Sequence, residues 1–130
     1  MNSETVPSEI PIAMDEACTI SLECWRLGRI AKSAKECNES LGFRHSVRRI
    51  AEALEKMGFS VIDFAGRNYD PGMVPEVVEA IEDPTLPRGH VIIVETVAPT
   101  VIWQGQVVKP GQVIVKRPPL RPQESIEVME

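Results

Sequence analysis

The side chains that could carry out chemistry in this chain are few and form no recognised pattern. There are two histidines, His45 and His90, and three cysteines, Cys18, Cys24 and Cys37. The sequence lacks the phosphate-binding loop, the dinucleotide-binding glycine pattern, the zinc-protease motif and the serine-hydrolase elbow. We therefore expect no catalytic residue, no metal and no cofactor, and interpret the protein as a non-enzyme.

The individual candidates have simpler structural explanations. Cys37 and His45 could pair as nucleophile and base, but Cys37 falls on an apolar helical stripe while His45 lies in a basic segment. An odd number of cysteines without CxxC spacing predicts buried thiols instead of a disulfide framework or a zinc site. His90 follows a glycine where a strand is predicted to start, and the acidic residues from Asp63 to Asp83 are typical of a solvated sheet face.

One basic cluster stands out in an otherwise acidic chain. Arg44 and Arg48 lie one turn apart on the same side of a predicted helix, and Arg49 follows them. This cluster could dock an acidic partner, or it could form salt bridges with Glu52, Glu55 or nearby acids. The sequence leaves both alternatives open.

The overall charge and hydropathy exclude other classes of partner. The formal net charge is -5, and extended binding to nucleic acid requires clustered Lys and Arg. The first residues, Met1 to Pro11, lack the basic and apolar regions of a signal peptide, and no apolar run approaches the roughly 20 residues that span a bilayer. We expect a cytoplasmic protein that binds neither nucleic acid nor membrane.

The first half of the chain has the pattern of two helices. Small and apolar residues recur at alternating spacings of three and four between Met14 and Cys37, which predicts a helix packed against another helix. Residues 38–40 are expected to break it. A second stripe runs from Phe43 to Met57 and stops at Gly58, a natural left-handed cap.

The apolar surface of these helices is wider than one antiparallel hairpin can cover. A second copy would cover it, and two hairpins related by a twofold axis form a four-helix bundle. We therefore predict a homodimer. Its predicted interface comprises Ala17, Ile20, Cys24, Leu27, Ala31, Ala34, Val47, Ile50 and Leu54.

The second half has β-branched runs separated by Pro and Gly, which predicts short antiparallel strands joined by tight turns. The predicted fold class is α+β, with a dimeric helical domain before a small antiparallel β domain. We divide the chain into a disordered start (1–12), a helical dimerisation domain (13–58), a β domain (59–117) and a Pro-rich, disordered tail (118–130).

From Ser40 to Lys116 the residues resemble the GrpE family of nucleotide exchange factors for DnaK-type chaperones. The similarity lies in the order and spacing of short motifs, none of which is specific alone. They are Gly42, Gly58, Tyr69-Asp70-Pro71, Glu76-Val77-Val78, Glu82-Asp83-Pro84, Gly89, Val91 to Val94 and the hairpin Gln104 to Val115.

The chain also departs from this family pattern. Pro75 stands where the family usually has His before the Glu, and Gln104 and Gln106 replace the Asn and Arg of the hairpin. Only about a dozen residues precede the first predicted helix, so we do not expect the long paired helix of GrpE proteins. The roles of that helix are not transferred to this chain.

The resemblance implies a homodimeric co-chaperone, active in protein folding and the stress response. Its β domain would bind the ATPase domain of a DnaK-like protein and favour the open nucleotide cleft, which releases ADP. Carried over by position, the partner-binding residues would be Gly42, Val97, Trp103, Gln106 and Val115. The alternative is a dimeric scaffold or adaptor that binds a specialised DnaK-like ATPase, or another complex, without exchanging nucleotide.

Overall fold

The computed structural model describes residues 6–33 and 39–119, which divide into two compact units between Lys56 and Met57. The first unit is helical and the second consists of β-strands, so the predicted α+β class is confirmed. We call the β unit, 57–119, the head. Ala34 and Cys37, which were predicted to lie on the first helical stripe, fall outside the described residues.

The helical unit contains α1 (Met14–Ser33) and α2 (Glu39–Lys56). Asp15 and Glu16 lie in the first turn of α1 and Lys32 in its last, an arrangement that complements the helix dipole. The predicted break is wrong for residues 39 and 40, which belong to α2.

The two helices form a hairpin. The Sγ atom of Cys24 lies 3.7 Å from the carbonyl oxygen of Val47, and these residues are at similar distances from the connection between the helices. Such a register is that of antiparallel neighbours, as predicted. A left-handed glycine, Gly58, with φ of 93°, follows α2 at the predicted cap position.

Six strands lie in the described part of the head. Their bounds are β1 (Phe59–Ile62), β2 (Glu76–Glu82), β3 (Ile92–Ala98), β4 (Thr100–Trp103), β5 (Gln106–Lys109) and β6 (Gln112–Arg117). One three-stranded sheet has the order β1-β4-β5 and is antiparallel throughout. The other has the order β2-β6-β3.

The expectation of a purely antiparallel domain is wrong for the second sheet. Strand β3 is antiparallel to β6, but β2 is parallel to it. Tight turns specify only strands that follow one another directly, whereas β2 and β6 are separated by three other strands. Turn residues in the sequence therefore carried no information on this pairing.

The buried core of the second sheet is formed by side chains of its central strand, β6, and of the neighbouring β3. Ile93, Val113 and Val115 are almost completely buried, and the half-buried side chains of Phe64, Tyr69, Met73 and Val91 pack against them. The loop between β1 and β2 thus closes over one face of the sheet.

Besides the long loop between β1 and β2, two short connections cross between the two sheets, one at Pro99 and one at Pro110-Gly111. These crossings are in contact. The backbone N–H of Gly111 donates a hydrogen bond to Thr100 Oγ1 (3.0 Å), and the carbonyl of Gly111 accepts one from the N–H of Glu76 (2.8 Å). A Cβ atom on Gly111 would lie within 3 Å of backbone atoms of Ala98, Pro99 and Thr100, so the position has no room for a side chain.

Candidate interaction surfaces

The predicted stripe on α1 is divided between two faces of the helix. Ala17, Cys24 and Ala31, spaced seven residues apart, are buried. Ile20 and Leu27, also seven apart, are 44% and 36% exposed. The small residues let α2 approach closely, since a Cβ atom placed on Gly28 would lie 3.7 Å from Val47 Cγ1. One hairpin therefore covers only half of the stripe that the sequence predicts.

The uncovered half, Ile20 and Leu27, forms together with the nearby Ile30 an apolar strip on α1 that we call the outer stripe. Ile30 is 57% exposed. Glu23 lies between Ile20 and Leu27 in the same strip and is paired with Arg26 at 2.7 Å, so a charged pair interrupts the outer stripe. Among the described residues, its apolar side chains remain more than one-third exposed.

Helix α2 repeats this division. Leu54 is buried and Val47 is half-buried, whereas Ile50 is 39% exposed. Phe43, seven residues before Ile50, is exposed to the same degree. Of the predicted dimer interface, then, some residues are already buried within one chain and others remain available for a second copy.

The hairpin of β4 and β5 is the turn predicted to bind a partner, and its two turn residues are exposed. Gln104 and Gly105 have φ of 48° and 80°, and positive values at both central residues define the tight turn that matches the twist of the flanking strands. The predicted two-residue turn is confirmed. Gln106 follows it and is exposed.

The indole of Trp103 contacts two residues at the start of the head, Met57 and Phe59. Its Nε1 donates a hydrogen bond to the carbonyl of Met57 (2.9 Å), and its ring lies 6.2 Å from that of Phe59 between centroids. The indole is nevertheless only half-buried. Trp103 therefore fixes the hairpin to the start of the head and also leaves part of its ring accessible.

The other proposed contact residues differ in accessibility. Gly42 is exposed on α2, and Val97 is half-buried in β3. Val115 is 3% exposed, because β6 is the central strand of its sheet and this side chain points into the core. We correct its assignment: Val115 holds the sheet together and does not offer a side chain to a partner.

Two carboxylates of the acidic segment have structural roles that sequence reasoning missed. Asp63 Oδ1 accepts hydrogen bonds from Thr96 Oγ1 (2.5 Å) and from the N–H of Ala65 (3.0 Å). Asp83 Oδ1 accepts from the hydroxyl (2.6 Å) and the N–H (2.9 Å) of Thr85. These hydrogen bonds from Thr85 stabilise the ionised form and lower the pKa of the Asp83 carboxyl.

The candidate reactive residues are dispersed. Cys18 and Cys24 are buried thiols, as predicted for cysteines on an apolar stripe, and burial raises the pKa of Cys24. His45 and His90 are both exposed. No group of three or more potential metal ligands comes together within 6–33 and 39–119.

The salt-bridge explanation of the basic cluster finds no support at two of its three positions. Arg48 and Arg49 are exposed, and neither pairs with a described carboxylate. Arg44 does have an interaction partner. The cluster remains a possible contact for an acidic surface.

Comparison with known proteins adds no assignment to these surfaces. Neither α1 nor α2 is apolar enough over its length to cross a membrane. Set against models of protein families and against curated proteins, the chain matches none.

Proposed function

We propose that this protein is a homodimeric, GrpE-like co-chaperone of the cytoplasm that binds the ATPase domain of a DnaK-like chaperone and promotes ADP release. The proposal combines the motif resemblance over Ser40 to Lys116 with one structural observation, the uncovered outer stripe. The resemblance supplies the expected partner. The outer stripe supports the dimer on which such a protein depends.

The case for the dimer is one of apolar area. Burying a Leu or Ile side chain fully contributes about 1.5 to 3 kcal/mol before entropy is counted. Ile20, Leu27 and Ile30, with Phe43 and Ile50, are at least one-third exposed in the single chain. A twofold axis would place each of them at the interface twice, because the same surface is used by both copies.

The case for the head is one of shape. An exchange factor forms and breaks no covalent bond; it binds the open state of its partner more tightly than the closed state. A hundredfold preference corresponds to about 2.7 kcal/mol, which a few well-placed contacts provide. The β4–β5 hairpin, stiffened by its turn and by the Trp103 hydrogen bond, suits such a contact.

Stopped-flow release of labelled ADP from the DnaK-like ATPase of the same cell tests this proposal. Faster release in the presence of the full chain supports exchange. Binding without acceleration supports the adaptor instead, and absence of binding refutes both. As a control, Gly105→Pro should abolish binding by breaking the hairpin while the helices still associate.

One residue favours the adaptor as the second candidate. Gln106 replaces the arginine that the resemblance leads us to expect, and a lost charge-assisted hydrogen bond costs about 1.5 to 3 kcal/mol. Gln106→Arg should then strengthen binding to the ATPase roughly tenfold or more. The matched change Gln106→Glu should not; equal effects of the two variants would remove Gln106 from the contact.

A further inference from the structure

The two edge strands of the β2-β6-β3 sheet differ in their backbone hydrogen bonding. Next to β3, the segment 66–69 follows the edge: the N–H of Gly66 donates to Ile93 O (2.8 Å), the N–H of Ile93 to Arg67 O (2.9 Å) and the N–H of Tyr69 to Val91 O (2.7 Å). That edge is therefore paired with the chain itself. The opposite edge is formed by β2.

Strand β2 has no backbone partner on its outer side among the described residues. Its hydrogen bonds, and those of the residues at its ends, run to β6 and to Gly111. All seven of its residues are exposed, including Val77, Val78 and Ile81 at 38%, 49% and 39%. An unpaired strand with exposed apolar side chains is a template for an additional strand.

Charge determines which strand this edge accepts. The sequence of β2 is EVVEAIE, with glutamates at both ends and in the middle. The register of β2 shifts between Val77 and Glu79, and antiparallel pairing of two copies about Glu79 would place Glu79 directly opposite Glu79. Like charges directly opposite one another destabilise a strand pair, so the edge opposes pairing with a second copy.

We propose that β2 is a docking edge for an extended segment of a partner protein that carries a Lys or Arg at every third position with apolar or β-branched residues between them. On the C-terminal side of the register shift, such a segment in antiparallel register places one cation opposite Glu79 and one opposite Glu82, whose carboxylate also lies 3.7 Å from Arg117 Nη2. Its backbone completes the hydrogen bonds of β2, and its apolar side chains cover Val78 and Ile81. This inference does not depend on the co-chaperone proposal, which concerns the β4–β5 hairpin.

Fluorescence anisotropy with short, capped peptides tests the proposal on the full chain. The basic probe is Lys-Val-Thr-Lys-Val-Thr-Lys, and the acidic probe has glutamate at each lysine position. Two cross-strand charge pairs that attract the basic probe and repel the acidic one predict that the basic probe binds roughly tenfold more tightly or better. Equal binding of the two probes would overturn the charge argument.

A charge-reversed protein separates recognition from mere loss of folding. The double variant Glu76→Lys with Glu79→Lys should lose affinity for the basic probe and gain affinity for the acidic one. A protein that had only lost its fold would bind the basic probe less tightly, but it would not come to prefer the acidic probe. A variant that still prefers the basic probe would show that binding occurs elsewhere.

The backbone contribution has its own control. N-methylation of alternate amides in the basic probe removes hydrogen-bond donors from one edge while it keeps every side chain and charge. Strand addition predicts binding about tenfold weaker for the methylated edge that faces β2. Undiminished binding whichever edge is methylated would mean simple electrostatic attraction and would refute strand addition.

Discussion

Replacing Gly111 with alanine should destabilise the head by about 2 to 4 kcal/mol. Gly111 lies where the chain crosses between the two sheets. A Cβ atom there would be 2.6 Å from Ala98 O, 2.8 Å from Thr100 N and 2.9 Å from Pro99 C. All three are backbone atoms, so no side chain can rotate away to make room.

The magnitude has two parts. Forcing extra carbon into a filled site costs typically about 1 to 3 kcal/mol, because the surrounding backbone must shift. The same shift would strain the hydrogen bonds from the Gly111 N–H to Thr100 and from the Glu76 N–H to Gly111, each of which contributes about 1 kcal/mol. The crossing positions β4 and β5, so the hairpin should become less ordered as well.

Urea unfolding followed by the fluorescence of Trp103 measures this effect, with Trp25 replaced by phenylalanine in every sample. We expect the midpoint of Gly111→Ala to fall by about 1 M or more. Gly72→Ala is the matched control, because a Cβ there has no atom within 4 Å and the backbone is not left-handed. It should change stability by no more than about 0.5 kcal/mol. Equal midpoints for the two variants would refute the close approach of the crossings.

The other predictions concern the helices, the hairpin and one carboxylate. Leu27→Asp should give monomers by light scattering because it places a charge in the outer stripe, whereas His45→Asp, on the exposed side of α2 away from Phe43 and Ile50, should remain dimeric; two dimeric variants would exclude the stripe. Gln104→Asn should stabilise the head by about 0.5 to 1 kcal/mol in urea unfolding, since Asn tolerates the left-handed turn better, and an unchanged midpoint would contradict this. Thr85→Val should raise the pKa of Asp83 part of the way to its ordinary value in an NMR titration, because the hydroxyl donor is lost and the backbone donor stays. In the native protein that depressed pKa contributes stability above the unfolded-state pKa, and the contribution is lost as the pH falls through the folded-state pKa.

Features set by neighbouring residues could be predicted from the sequence. The two helices follow from apolar periodicity, the cap at Gly58 from glycine's access to positive φ, and the turn at Gln104-Gly105 from the same property. In each of these cases the determining contacts lie within a few positions along the chain.

Features set by distant residues could not be predicted. The hydrogen bond between Asp63 and Thr96 joins positions 33 apart, and no local pattern marks either residue as its partner. The parallel alignment of β2 with β6 depends on two crossings between sheets. The close contact at Gly111 belongs to this group as well, because a glycine in a Pro-Gly pair is equally common in open turns.

The division of the α1 stripe shows how a correct period can still leave the partner undetermined. Alternating spacings of three and four place Ala17, Ile20, Cys24 and Leu27 along one broad strip. Residue size separates its two halves: the small residues are buried within the hairpin and the larger aliphatic residues remain exposed. Residue size gives no such guide for Val115. Its burial follows from the central position of β6 in its sheet, which the sequence alone does not reveal.

The mass of the chain in solution tests the central claim most directly, since the outer stripe is expected to join two identical hairpins. Light scattering on the purified full chain at micromolar concentration should give twice the single-chain mass of 14.4 kDa. A stable particle of the single-chain mass, with both helices folded, would contradict the account.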